Sequence, residues 1–106
     1  MVKQDKQRKY VGIDNDTAGG MTETGKIIRD AWVFGLIPET ETCEGWLAAG
    51  IEDLWRRVSA EWEKYGYLVS NLPEDLRSKF MRIQDEALER ARESGWNPDA
   101  DLENDD

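Results

Sequence analysis

Residues 44–65, EGWLAAGIEDLWRRVSAEWEKY, constrain this chain more than any other stretch. At about 100° per residue, Leu47, Ile51, Leu54, Val58, Trp62 and Tyr65 fall on one arc of roughly 80°, with Trp55 at its edge. The opposite side carries Glu52, Asp53, Arg56, Arg57, Glu63 and Lys64. A strand would need apolar residues at every second position, and none of that alternation is present. The spacing predicts a helix over 43–65. Glu52–Arg56, Asp53–Arg57 and Arg57–Glu61 fall at the i,i+4 spacing that adds about 0.2–0.5 kcal/mol per pair. An apolar arc of this length has to be covered, so the stretch is expected to form the central wall of a small helical core.

Two further segments supply the cover. In the first, Thr22 or Thr24 can cap a helix over about 22–34, with Ile27, Ile28, Ala31, Trp32 and Phe34 spread over roughly 160° and Val33 outside that stripe. So wide an arc predicts contact on two sides. Gly35 at C′, then Leu36 and Pro38, mark its end. The other segment, the third helix in chain order, is expected over about 72–94. Asn71 is its N-cap, Pro73 lies in its first turn and Glu74 at N3; the stripe is Leu72, Leu76, Phe80, Ile83, Ala87 and Ala91. Asp75–Lys79, Arg82–Glu86 and Glu86–Arg90 decorate its outside. Gly66 and Gly95 offer two more glycine stops, and Trp96 can fold back on the last turn. The expected architecture is all-α: a small antiparallel three-helix bundle spanning 22–96, preceded by an irregular N-terminal arm (1–21) and followed by a disordered acidic C-terminal tail (97–106). Tyr10 and Ile13 are the residues that would lay the arm on the bundle. A dimerising helical hairpin is the alternative.

Charge bounds the partners. The net charge is −9 over 106 residues. Lys3, Lys6, Arg8 and Lys9 make the first ten residues basic, whereas the last ten carry five acids and no base. So acidic a fold repels nucleic acid and anionic lipid over a Debye length, so neither direct nucleic-acid binding nor a membrane is expected. No apolar run approaches the roughly 20 residues that span a bilayer, and the first residues lack a signal-peptide apolar region. A cytoplasmic protein is the resulting expectation.

The chemistry is bounded by what the chain lacks. There is no histidine and one cysteine, Cys43. That removes histidine-based acid–base and triad catalysis, ordinary zinc sites and an intramolecular disulfide. Gly20-Met21-Thr22-Glu23-Thr24-Gly25-Lys26 fits G-x-x-x-x-G-K, but Ile27 replaces the metal-binding Ser/Thr and Glu23 places a negative charge in the loop. The bland reading is a glycine-rich turn feeding a helix. Asp14-Asn15-Asp16 begins a calcium-loop spacing that fails at Ala18 and Gly25. Asp99, Asp101 and Glu103 begin another, with too few residues after them to close a loop. No cofactor, metal or catalytic set is expected.

Cys43 falls at the expected start of the second helix, where the helix dipole favours a thiolate and Glu39, Glu41 and Glu44 oppose it. Beside it, Trp46 lies off the apolar arc. Met81 and Leu88 form an i,i+7 pair off the third stripe, and Trp96 follows the last glycine. These five residues, Cys43, Trp46, Met81, Leu88 and Trp96, are the candidate partner contacts. The expected function is non-enzymatic: a small acidic protein-interaction module acting on a protein partner, with a homodimer as one form. The first alternative is an acidic nucleic-acid mimic that inhibits a DNA- or RNA-binding enzyme. A thiol or sulfur carrier using Cys43 is the second.

Overall fold

The computed structural model describes residues 9–96. The expected basic N-terminal end and the acidic tail over 97–106 fall outside these residues. The described residues form three α-helices: α1 (Glu23–Val33), α2 (Ala48–Glu63) and α3 (Glu74–Glu93). Short 310 turns at Ile13–Asn15, Thr17–Gly20 and Val69–Asn71 complete the regular structure. Among the described residues the only β pairing is an isolated antiparallel bridge between Lys9 and Leu47.

All three helices end in the same way. Leu36 N–H donates to Ala31 C=O (2.9 Å), Tyr67 N–H to Trp62 C=O (3.1 Å) and Trp96 N–H to Ala91 C=O (2.9 Å). Each closure requires a left-handed residue just before the donor, and Gly35, Gly66 and Gly95 supply it with φ of 70°, 63° and 96°. Glycine adopts that conformation without a Cβ penalty, so the stops are written into the sequence. The start of α1 is equally local: the Thr22 hydroxyl accepts from Gly25 N–H at 3.0 Å.

The other two starts differ from expectation. α2 begins at Ala48, five residues after Cys43. Residues 42–47 form an irregular turn tied to the N-terminal arm. Tyr10 N–H donates to Trp46 C=O (2.8 Å), Gly45 N–H to Tyr10 C=O (2.8 Å) and Ile13 N–H to Thr42 C=O (3.0 Å). Cys43 and Gly45 also take positive φ, which no helix accepts. Leu47, expected on the apolar arc, therefore sits at the N-cap and is 46% exposed. α3 begins after Pro73, and Asn71 is not its cap; the Asn71 amide instead donates to Tyr65 C=O at 3.0 Å, closing the end of α2.

The centre of the fold is α1 rather than the stretch 44–65. Seven of its eleven residues are buried, whereas only three residues are buried on α2 and three on α3. It packs against both other helices, in keeping with its wide arc. Two-sided cover also explains Val33, which lies outside the expected stripe and yet is 2% exposed. Leu54, Val58 and Trp62 are the residues that α2 contributes to the core, and Leu72, Ile83, Ala87 and Ala91 come from the α3 segment. Each fully buried aliphatic side chain here, such as Ile28 or Leu54, contributes about 1.5–3 kcal/mol. Trp62 joins the three helical segments through aromatic edges, meeting Phe34 at 5.2 Å and Phe80 at 5.9 Å between ring centroids.

The arm is the second departure. It is irregular, as expected, but built into the fold. Ile13 is buried, and Tyr10 and Thr22 hydroxyls both donate to Asp16 Oδ2. Arg29, on α1 and 5% exposed, donates to Gly20 C=O (2.6 Å) through Nη1 and to Gln84 on α3 (3.2 Å) through Nε. Gly19 is pressed so close to α3 that a Cβ would lie 2.8 Å from the Ala91 Cα. Among the described residues few of the expected surface ion pairs form. Of those expected, Arg82–Glu86 forms at 3.3 Å; Asp53 pairs with Arg56 rather than Arg57, and Lys79 and Arg82 reach Glu39 in the α1–α2 loop.

Candidate functional site

Trp55 is one of several large apolar residues that packing leaves in water, beside Val11, Tyr67, Leu68 and Met81. It was expected at the edge of the core arc, and it is 52% exposed. The cause is geometric: α2 needs only Leu54, Val58 and Trp62 to cover α1, and Trp55 lies about 100° from Leu54, beyond the contact. Its ring borders a groove of about 460 Å³ between α1 and α2. Ile27 and Val58 supply apolar wall, and Tyr67, four residues past the end of α2, lines the same groove with 58% of its surface exposed. The α1 side brings Glu23, Lys26 and Asp30.

Two details fix this groove. Asp30, a carboxylate only 3% exposed, accepts from Trp62 Nε1–H at 3.0 Å and from Lys26 Nζ at 3.4 Å. The indole bond ties the floor of the groove to the aromatic core. Tyr67 follows Gly66 in the left-handed region with φ of 61°, a conformation costing a non-glycine residue roughly 1–2 kcal/mol. Its hydroxyl donates to Ser59 C=O at 3.2 Å, which holds the ring against α2. Strain of this kind persists only where the surroundings enforce it, and it is common at binding surfaces.

A second cleft, about 280 Å³, lies where the arm meets α1 and α3, lined by Asp14, Asp16, Arg29, Arg90 and Glu93 among others. Asp16 Oδ1 is buried there without a hydrogen-bond donor. Charges of both signs line it, and Arg29 works as a strut between the arm, α1 and α3. Burial and the nearby Arg90 charge lower the Arg29 pKa, opposed by Asp30 and Asp16.

The residues singled out from sequence do not form one surface. Cys43 is fully buried in the loop before α2, not at a helix terminus. Burial, with Glu41 nearby, pushes its pKa up to about 11, the reverse of dipole activation. Trp46 is half-buried, packed on the core and resting over Gly50. Met81 is 50% exposed, Leu88 is half-buried, and Trp96 is half-buried against the end of α3. None of the five lines the α1–α2 groove. Tyr67 stands directly after the C′ glycine of α2, a position that favours packing back on the last turn, so no local signal marks its exposure.

The G-x-x-x-x-G-K segment is not an open phosphate loop. Gly25 is buried so tightly that a Cβ would lie 2.1 Å from the Gly20 carbonyl oxygen, and that oxygen is held by Arg29. Backbone N–H groups cannot converge on a phosphate where a carbonyl already fills the space. Among the described residues no group of three or more Cys, Asp or Glu could hold a metal ion, and no helix is long and apolar enough to cross a membrane. Comparison of the chain with protein-family models, curated proteins and solved structures yields no match. Fold and site together define a small all-α protein with an aromatic-walled groove between α1 and α2.

Proposed function

We propose that this chain is a non-enzymatic protein-interaction module and that the α1–α2 groove is its binding face. The observation that carries this reading is the pair Trp55 and Tyr67, two large aromatics each more than half exposed on one groove with no intramolecular task for their outer faces. Tryptophan and tyrosine dominate the residues that carry binding energy at protein interfaces, because they bury much area at little entropic cost. The rim is polar, with Glu23, Lys26 and Ser59, as such interfaces are.

Two observations weigh against the alternatives. A sulfur carrier needs a thiol that can reach its donor, and Cys43 Sγ lies within the core. A nucleic-acid mimic needs carboxylates in an uninterrupted array, and on α3 basic residues stand among the acids, Arg82 engaging both Glu86 and Glu39 of the α1–α2 loop. The test is affinity capture of the full chain beside a Trp55→Ser/Tyr67→Ser variant, with mass-spectrometric identification of what is retained. A partner held by the wild type and lost from a variant of unchanged helicity supports the reading. Equal retention by both proteins refutes it.

A further inference from the structure

We infer that the α1–α2 groove takes an arginine side chain of the partner, with the guanidinium directed to Asp30 and its plane against Trp55. This deepens the proposed function and rests on the groove being the binding face. Three observations lead to it. The groove floor holds a carboxylate, Asp30, only 3% exposed and already oriented by the Trp62 indole. A fixed acceptor in an apolar, poorly hydrated setting attracts a cationic donor far more than an exposed one. Aromatic side chains line the same groove: Trp55 and Tyr67, each more than half exposed, and Trp62, which bonds Asp30 directly. Indole and phenol faces attract cations electrostatically, and a guanidinium can stack on them while its edge donates. The third observation is an internal stand-in. Lys26, 66% exposed, lays its ammonium 3.4 Å from Asp30 Oδ2. A cation therefore already occupies the rim of this site, loosely, at the end of a long side chain that can swing into solvent. Glu23 adds a second acid on the same wall, and the net charge of −9 draws a basic segment toward the protein.

Lys26 makes the inference testable without touching the core. Nα-acetyl-arginine amide is titrated into the full chain while the indole N–H signals of the five tryptophans are followed by NMR. Nα-acetyl-glutamate amide and Nα-acetyl-norleucine amide serve as acidic and neutral probes of similar length. The arginine probe should produce a saturable shift of the Trp62 and Trp55 signals, and the acidic probe should produce none. Lys26→Ala removes the competing cation and should tighten the arginine probe roughly three- to tenfold, the effect of one nearby charge at an effective dielectric near that of a protein surface. A Trp55→Ser change should weaken it about threefold or more through the lost cation–π contact. The inference is overturned if the arginine probe gives no saturable shift, if the acidic or neutral probe binds as well, or if Lys26→Ala leaves the affinity unchanged. Failure here is separable from failure of the functional reading. A captured partner that still depends on Trp55 and Tyr67, with no response to the arginine probe, leaves the groove as the interface and removes only its charge preference.

Discussion

Replacing Trp62 tests the packing argument most directly. The side chain is 8% exposed, meets Phe34 and Phe80 edge-on, and donates to Asp30 at 3.0 Å. Trp62→Ala removes a large buried aromatic, which costs about 3–5 kcal/mol in a core that cannot collapse. It also strips Asp30 of its indole donor; losing a hydrogen bond to a charged group costs roughly 1.5–3 kcal/mol, part of which the truncation value already contains. A total near 5 kcal/mol is therefore expected, comparable to the whole stability of many domains of this size. Trp62→Phe separates the contributions, because it keeps one ring and loses the indole N–H, and about 2–3 kcal/mol should remain as its cost. Urea unfolding followed by circular dichroism at the helical band gives both differences without interference from the other tryptophans. Trp62→Ala should be largely unfolded in buffer and Trp62→Phe folded with a lowered midpoint. A loss below about 1 kcal/mol for Trp62→Ala would show that the three helical segments are not joined through this ring, and the account of the core would fall with it.

Gly25→Ala should cost at least about 2 kcal/mol, because its Cβ would meet the Gly20 carbonyl at 2.1 Å and push the arm off Arg29; thermal unfolding of the variant checks this, and an unchanged melting temperature refutes the close approach. Cys43 should resist alkylation in the native protein and react only as fast as the loop opens, so iodoacetamide labelling at pH 8 should accelerate sharply in denaturant. Its pKa of about 11 in the fold, against roughly 8.5 in the unfolded chain, means that the unfolded state loses its proton first. The Cys43 contribution to stability is therefore intact below about pH 8.5 and falls as pH rises toward 11, by about 3 kcal/mol at roughly 1.4 kcal/mol per pH unit. Tyr10, also raised by burial and by its bond to Asp16, acts in the same direction at still higher pH. Stability measured from pH 7 to 11 should decline, and a Cys43→Ala variant should decline less.

Helix identity and the three stops were legible in the sequence because their causes are local. Apolar spacing of 3.6 residues marked each helix, and Gly35, Gly66 and Gly95 each close a turn using atoms within five residues. Trp62, Leu54, Val58, Ile83, Ala87 and Ala91 are core residues on the strength of periodicity alone, and the structure buries all six. What the pattern could not contain is the partner of each face. The start of α2 is displaced because Tyr10 and Ile13, some thirty residues earlier, hydrogen-bond to residues 42–46, and no local signal records that pairing. The same pairing buries Cys43, which by position looked like an exposed residue at a helix N-terminus. α1 proves to be the centre because it is covered on both sides, a fact that its wide arc hinted at and only the assembled fold established. The groove is the clearest case. A helical wheel places Trp55 beside Leu54's stripe, but whether an edge residue is covered depends on how far the neighbouring helix extends, and α1 leaves it open. The sequence determined which segments coil and where they stop, since those are short-range steric and hydrogen-bonding choices; tertiary structure decided which aromatics remain in water, since exposure is a property of neighbours distant in the chain.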